Sequence, residues 1–215
     1  MHSHIRWFKE LGINDVSLVG GKNASLGEMY QNLTTEGVCI PNGFAITVEA
    51  YRYVLDHNSA WQPLHAALDG LDPDNIKDLQ ARGAKARAIV YGCSLPEDLK
   101  TAILQSYAQL KQEYGENISL AVRSSATAED SPQASFAGQN DTYLNIATDD
   151  DLLDAYKRCL ASNFTDRSIH YKYDNGFDYY KVYLAVVVMK MVRSDIGASG
   201  VMFSLDTETG FRDVV

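Results

Sequence analysis

Two stretches of this 215-residue chain carry residue types, in an order, that suit anion binding. The first is Val19-Gly20-Gly21-Lys22-Asn23-Ala24-Ser25-Leu26-Gly27-Glu28-Met29, in which a lysine follows two glycines. Glycine lets a backbone come close to a ligand. A lysine opening a helix stands where free N–H groups and the dipole favour negative charge. The dipole disfavours the lysine itself by ~0.3–1 kcal/mol, and an anionic ligand resolves that conflict. The second stretch is Ala121-Val122-Arg123-Ser124-Ser125-Ala126-Thr127-Ala128-Glu129-Asp130, continuing to Ser135-Phe136-Ala137-Gly138-Gln139-Asn140-Asp141-Thr142. Arg123 is expected to end a strand, a rigid platform for a fork of donors that matches phosphate. Five hydroxyl side chains follow between Ser124 and Ser135. Gly138 allows the closest approach of backbone to a polyanion, and Thr142 adds a hydroxyl as strand character resumes. On these residues alone, two plainer readings stay open: a turn with a solvated lysine, and a loop with Arg123 ion-paired to Glu129 or Asp130.

Common phosphate and nucleophile motifs are absent. A Walker A loop needs glycine where Val16 stands and Ser or Thr where Asn23 stands. No two glycines are spaced for G-x-G-x-x-G or for the G-x-S-x-G elbow. Cys39, Cys93 and Cys159 are odd in number and widely spaced, which disfavours a disulfide framework or zinc ribbon and fits a reducing cytoplasm. The 5 histidines show no metal-ligand spacing.

These segments need elements to position them. Leu26, Met29, Tyr30 and Leu33 recur at helical spacing, so a helix is expected over 22–33. A turn at Pro41-Asn42-Gly43 precedes a short strand over 44–47 and a helix over 48–57. Residues 61–114 read as mostly helical, with Ser94-Leu95-Pro96-Glu97 as a capping box. Strands are expected over 118–122, 142–146, 182–192 and 199–205, a loop over 124–140, and helices over 149–162 and 165–172. The order is that of an α+β (mixed α/β) domain, subdivided into a mainly helical part, 1–117, and a strand-rich part, 118–215. Phe211 to Val215 resembles the opening of a strand, so the chain is expected to stop inside a domain.

Composition narrows the function classes. With 46% apolar and 22% charged residues and only 5 prolines, the chain reads as globular rather than disordered. Its net charge of −9 opposes long-range attraction to nucleic acid or anionic lipid. The longest apolar run, Val182 to Met189, is too short for a bilayer, and no secretory leader is evident at the N-terminus.

Taken together, the Val19–Met29 and Ala121–Asp130 strings resemble the nucleotide-binding N-terminal domain of the phosphoenolpyruvate synthase (pyruvate, water dikinase) family. Ala134 to Asn145 and Lys190 to Phe203 extend the likeness over nearly the whole chain. Pyruvate, phosphate dikinase and rifampicin phosphotransferase share the domain, and 193–203 looks most like the synthase. The resemblance implies an ATP-grasp-like fold, truncated at its C-terminal end. It also implies a larger enzyme in which this domain binds Mg·ATP and phosphorylates a histidine on a swivelling domain. The partners so implied are ATP and that phosphohistidine domain, with no nucleic acid and no membrane. Overall, ATP, pyruvate and water would give AMP, phosphoenolpyruvate and phosphate. Lys22 and Arg123 would act on the ATP phosphates, with Gly138 in the loop that covers them and Thr142 at its end. Met189, Met191 and Val192 would form the hinge beside adenine; the family usually has glutamine where this chain has Met189. The Mg²⁺ ligands of the family lie beyond residue 215, so the chain alone is expected to be inactive and to bind ATP weakly. A rifampicin phosphotransferase-like dikinase and a non-catalytic nucleotide-binding module are the alternatives.

Overall fold

The computed structural model describes residues 4–127, 138–139 and 141–212. Its strands are β1 (Ile5–Trp7), β2 (Gly43–Ile46), β3 (Leu120–Ala126), β4 (Thr142–Ile146) and β5 (Leu184–Lys190). They form one sheet in the order β1-β2-β5-β3-β4, with every neighbouring pair antiparallel. Its α-helices are α1 (Val16–Leu33), α2 (Val48–His57), α3 (Trp61–Leu68), α4 (Ile76–Gly92), α5 (Glu97–Tyr114), α6 (Asp149–Ala161) and α7 (Asp166–Asp174). The mixed α/β expectation agrees with this architecture. No helix among the described residues is long and apolar enough to cross a membrane.

Side-chain alternation divides the sheet into two faces. Leu120, Val122 and Ala126 of β3 and Leu184, Val186 and Val188 of β5 join the large core beneath the helices that follow β2 and β4. Ala121, Ala185, Val187 and Met189 face the other way and pack with Val19 and Ala24 of α1, Phe8 and Leu11. One helix therefore covers one face, and several helices cover the other.

The helix α1 departs from its apolar pattern. Met29 and Leu33 are 37% and 38% exposed, whereas the buried positions are Val19, Gly20, Gly21, Asn23, Ala24 and Gly27. The reason is distance. A Cβ on Gly27 would lie 2.5 Å from the Leu11 Cβ, so small residues set how closely the helix approaches its neighbours. Of the stripe read from hydrophobic spacing, Leu26 and Tyr30 are partly buried against the core, whereas Met29 and Leu33 face solvent.

Other boundaries also shift. Strand β3 continues three residues past Arg123, so Ser124 to Ala126 are ladder residues bonded to β5 rather than loop. Pro96 is the N-cap of α5, with no side-chain cap. Ser94 instead bonds Asn58, through both N and Oγ at 2.9 Å, so no capping box forms. Residues 199–205 form no strand; Val201 and Met202 are more than 80% exposed. Hydrophobic content alone mimicked a buried strand there.

Candidate nucleotide site

The site is built where α1 meets β3. Helical geometry fails at Gly20 (φ 75°, ψ 165°) and resumes at Gly21. That backbone region is essentially restricted to glycine. A Cβ at Gly20 would lie 2.4 Å from both the carbonyl oxygen and the Oγ of Ser125. Asn23 Nδ2 donates to the Val19 carbonyl at 2.8 Å, tying the two sides of the kink. Asn23 N donates to Ser125 Oγ at 3.4 Å across 102 residues of sequence. The two anion-suited segments thus meet at Ser125. Lys22 lies half-buried in the first turn after the kink.

Register then fixes what stands beside Arg123. It pairs with Thr142 of β4 on one side and Val187 of β5 on the other. Directly opposed antiparallel residues share a face, so Arg123, Thr142 and Ser125 all lie on the α1 side. Two residues back along β3, Ala121 pairs with Met189. A cleft of about 280 Å³ runs over this surface, lined by Ala121, Arg123, Thr142, Leu144, Met189, Lys190, Met191 and Val192. The Arg123–Thr142 end is polar; the Met189–Val192 end carries two thioethers and a valine, together with Lys190, whose ammonium lies over the Tyr114 ring at 4.3 Å. From Ala121 beside Met189 to Ser125 beside the kink is four strand steps, about 13 Å.

The Arg123 end holds an unmet demand. Its Nε is buried and has no hydrogen-bond partner among the described residues, and the same is true of Asn23 Oδ1. A buried donor left unpaired costs about 1–3 kcal/mol, more when charged, so the Arg123 fork favours an acceptor arriving from the cleft. The polar side-chain groups here are a guanidinium, an ammonium, a hydroxyl and two thioethers, which do not suit a hard cation such as Mg²⁺. No group of three or more His, Cys, Asp or Glu side chains poised for a metal occurs among the described residues.

Of the residues singled out from sequence, the cleft brings together Arg123, Thr142, Met189, Met191 and Val192. Lys22 is not among its lining residues; it stands two residues past Gly20, which abuts Ser125, and Ser125 also lies outside the lining. Gly138 also lies outside the lining, is exposed, and has φ +73°. Glu129 and Asp130, the candidate partners of Arg123, and the hydroxyls of Ser131 and Ser135 lie outside the described residues. Sequence reasoning passed over Ala121, Leu144, Asn23 and Ser125. Alternation about Arg123 and Thr142 was the available signal for three of them: Ala121 and Ser125 flank Arg123 at ±2, and Leu144 follows Thr142 by two.

Comparison with known proteins shows the family. The family described as "Pyruvate phosphate dikinase, AMP/ATP-binding domain" matches residues 16–215. The phosphoenolpyruvate synthase of Aquifex aeolicus is 53% identical over 212 residues, 98% of this chain and 25% of that protein. That of Helicobacter pylori is 52% identical over 213 residues, covering 99% of this chain and 26% of its own length. The Escherichia coli phosphoenolpyruvate synthase is 49% identical over 211 residues, again 98% and 26%. The chain spans about a quarter of the length of these relatives. By these matches, it belongs to the pyruvate phosphate dikinase AMP/ATP-binding domain family.

Proposed function

We propose that the cleft on the α1 face binds ATP and that the chain is the ATP-binding portion of a phosphoenolpyruvate synthase. The fold is then ATP-grasp-like, with a helix-covered sheet presenting the nucleotide. The observation that carries this reading is the polarity of the cleft. A guanidinium whose buried Nε has no partner among the described residues, beside a hydroxyl, occupies one end; two thioethers and aliphatic side chains occupy the other, where Lys190 also lines the cleft but sets its ammonium 4.3 Å from the centre of the Tyr114 ring. A nucleotide is an anion joined to a flat apolar ring, and it fits that order in one direction.

Each residue then has a physical task. Arg123 supplies charge-assisted donors to the phosphates from the interior of a strand, where little reorganisation is needed. Thr142 adds a hydroxyl donor from the neighbouring strand. Lys22, set by the Gly20 kink, neutralises phosphate from the α1 side, and Gly138 allows backbone to come close. Met189, Met191 and Val192 shape the adenine end. Phosphoryl transfer relies on positioning and charge neutralisation, and these groups provide both. By the family resemblance, the Mg²⁺ ligands of the complete protein are expected beyond residue 215. In the complete protein the phosphoryl group would pass from ATP to a histidine on a further domain and then to pyruvate. The net products are AMP, phosphoenolpyruvate and phosphate.

The test is Arg123→Ala and Lys22→Ala in the complete gene product, assayed for pyruvate-dependent formation of AMP and phosphoenolpyruvate. Each variant is expected to lower kcat/KM by roughly 10²-fold, the scale for removing one donor aimed at developing charge. Near-normal turnover in both would refute the assigned roles.

A further inference from the structure

Strand β4 supplies Thr142 and Leu144 to the cleft, yet of its own side chains only Tyr143 and Ile146, both partly buried, pack against the core. It is an edge strand, hydrogen-bonded to the sheet only through β3. Its side chains are mostly exposed, its pairing with β3 is irregular between Leu120 and Val122, and Asn145 has φ 59°. Register is strongly specified where one face of a strand is buried, and weakly where it is not. Something else must keep Thr142 opposite Arg123.

The determinant lies just ahead of Thr142. The Asp141 carbonyl accepts from Ser124 N at 3.3 Å and from Ser124 Oγ at 3.2 Å. The Asp141 carboxylate accepts from Arg167 Nη2 at 2.5 Å and from Tyr143 OH at 3.3 Å. Arg167 Nε also donates to the Gln139 carbonyl at 3.0 Å, and Thr165 Oγ1 donates to the same oxygen at 3.2 Å. One guanidinium therefore grips two acceptors on either side of position 140. The grip is anchored in turn. Arg87 of α4 donates to Asp166 Oδ1 at 2.7 Å and to the Phe164 carbonyl at 2.9 Å, fixing the start of α7 against the helical layer.

We propose that Arg167 is a positioning residue for the nucleotide cleft, holding Gln139 and Asp141 so that Thr142 stands beside Arg123. The inference rests on the ATP-binding reading above. Arg167 and Asp141 are 53% and 36% exposed at their side chains, and exposed ion pairs add little to global stability. The role is one of geometry, and it separates binding from stability. Lysine is a poor substitute, because a single ammonium lacks the planar fork that reaches a carbonyl and a carboxylate together.

The experiment uses the complete gene product carrying Arg167→Ala, Arg167→Lys or Asp141→Asn. Three quantities are measured: the Kd of the non-hydrolysable ATP analogue adenylyl imidodiphosphate, the urea midpoint without nucleotide, and the hydrogen-exchange rate of the amides at 142–144. Arg167→Ala is expected to weaken binding roughly tenfold, to speed exchange at 142–144, and to leave the urea midpoint nearly unchanged. Arg167→Lys and Asp141→Asn should fall between it and the wild type. If Arg167→Ala binds within twofold of wild type, the positioning role is overturned while the nucleotide reading stands. If binding falls only in step with the urea midpoint across all three variants, the residue is merely structural and the proposal is likewise overturned. If the wild type itself does not bind the analogue, the nucleotide reading fails and takes this role with it.

Discussion

Replacing Gly20 with alanine should break the contact that joins the two halves of the site. The residue sits at φ 75°, ψ 165°, and the added Cβ would lie 2.4 Å from two atoms of Ser125. The backbone strain is about 1–3 kcal/mol, and overfilling a packed contact adds about 1–3 kcal/mol. Together these predict a loss of about 2–6 kcal/mol, read as a large fall in the urea midpoint with the slope unchanged. If α1 instead moves away to relieve the clash, stability falls less but Lys22 retreats from β3, and nucleotide affinity falls instead. Gly37→Ala is the control. Its φ is +85°, yet nothing lies within 4 Å of the new Cβ, so it reports strain without collision. Adding Ser125→Gly to Gly20→Ala should rescue little, because the Ser125 carbonyl oxygen remains in place. A Gly20→Ala variant matching wild type in both urea midpoint and nucleotide affinity, or one no worse than Gly37→Ala, would refute the argument.

Three further predictions concern buried polar groups. Arg123→Met should abolish nucleotide binding while leaving urea stability equal to or above wild type, because it removes a buried donor that has no partner among the described residues; a large destabilisation would show that Arg123 is structural. Lys172 is fully buried, its Nζ donating to the carbonyl and Oδ1 of Asn163 at 2.6 and 2.8 Å, and burial pulls its pKa from 10.5 down to about 7. The unfolded chain holds that proton up to about 10.5, so unfolding takes up a proton above pH 7 and stability rises with pH. The gain from pH 7 to 9 should be about 2 kcal/mol, and Lys172→Met should lack the slope in urea titrations at both pH values. Asn163 also donates through Nδ2 to Tyr51 OH at 3.2 Å and the Val182 carbonyl at 2.9 Å. Asn163→Leu should therefore destabilise by about 2–4 kcal/mol in thermal melts, since it strands several buried groups at once; a change under 1 kcal/mol would contradict this network.

What could be read from sequence depended on whether the signal was local. The helices over 48–57 and 149–162 and the strand over 142–146 follow from periodicity and turn residues, and those expectations match the structure closely, the second helix ending one residue earlier at Ala161. The buried face of α1 followed only in part. Hydrophobic spacing selects Leu26, Met29, Tyr30 and Leu33, of which Leu26 and Tyr30 pack against the core, whereas close approach selects Gly20, Ala24 and Gly27, and the second criterion depends on a neighbour the sequence does not name. Arg123 was placed at a strand end because Ser124 and Ser125 look like loop residues, yet they lie in the ladder with β5. Small hydroxyl residues there serve the contact with α1 and with Asp141. In the same way, Arg123, Thr142 and Met189 could each be named from sequence, but their sharing of one cleft is a property of antiparallel register across three strands.

The face that α1 turns toward the sheet consists largely of residues with almost nothing beyond the backbone. At the glycines of this seam, mutation can go in only one direction. Truncation scanning finds no methylenes to delete at the glycines, so the survey that maps most cores is blind here, and the seam's importance shows only when bulk is added. A library screened for tolerance should therefore show a sharp size ceiling at positions 20 and 27, whatever the chemistry of the larger side chain.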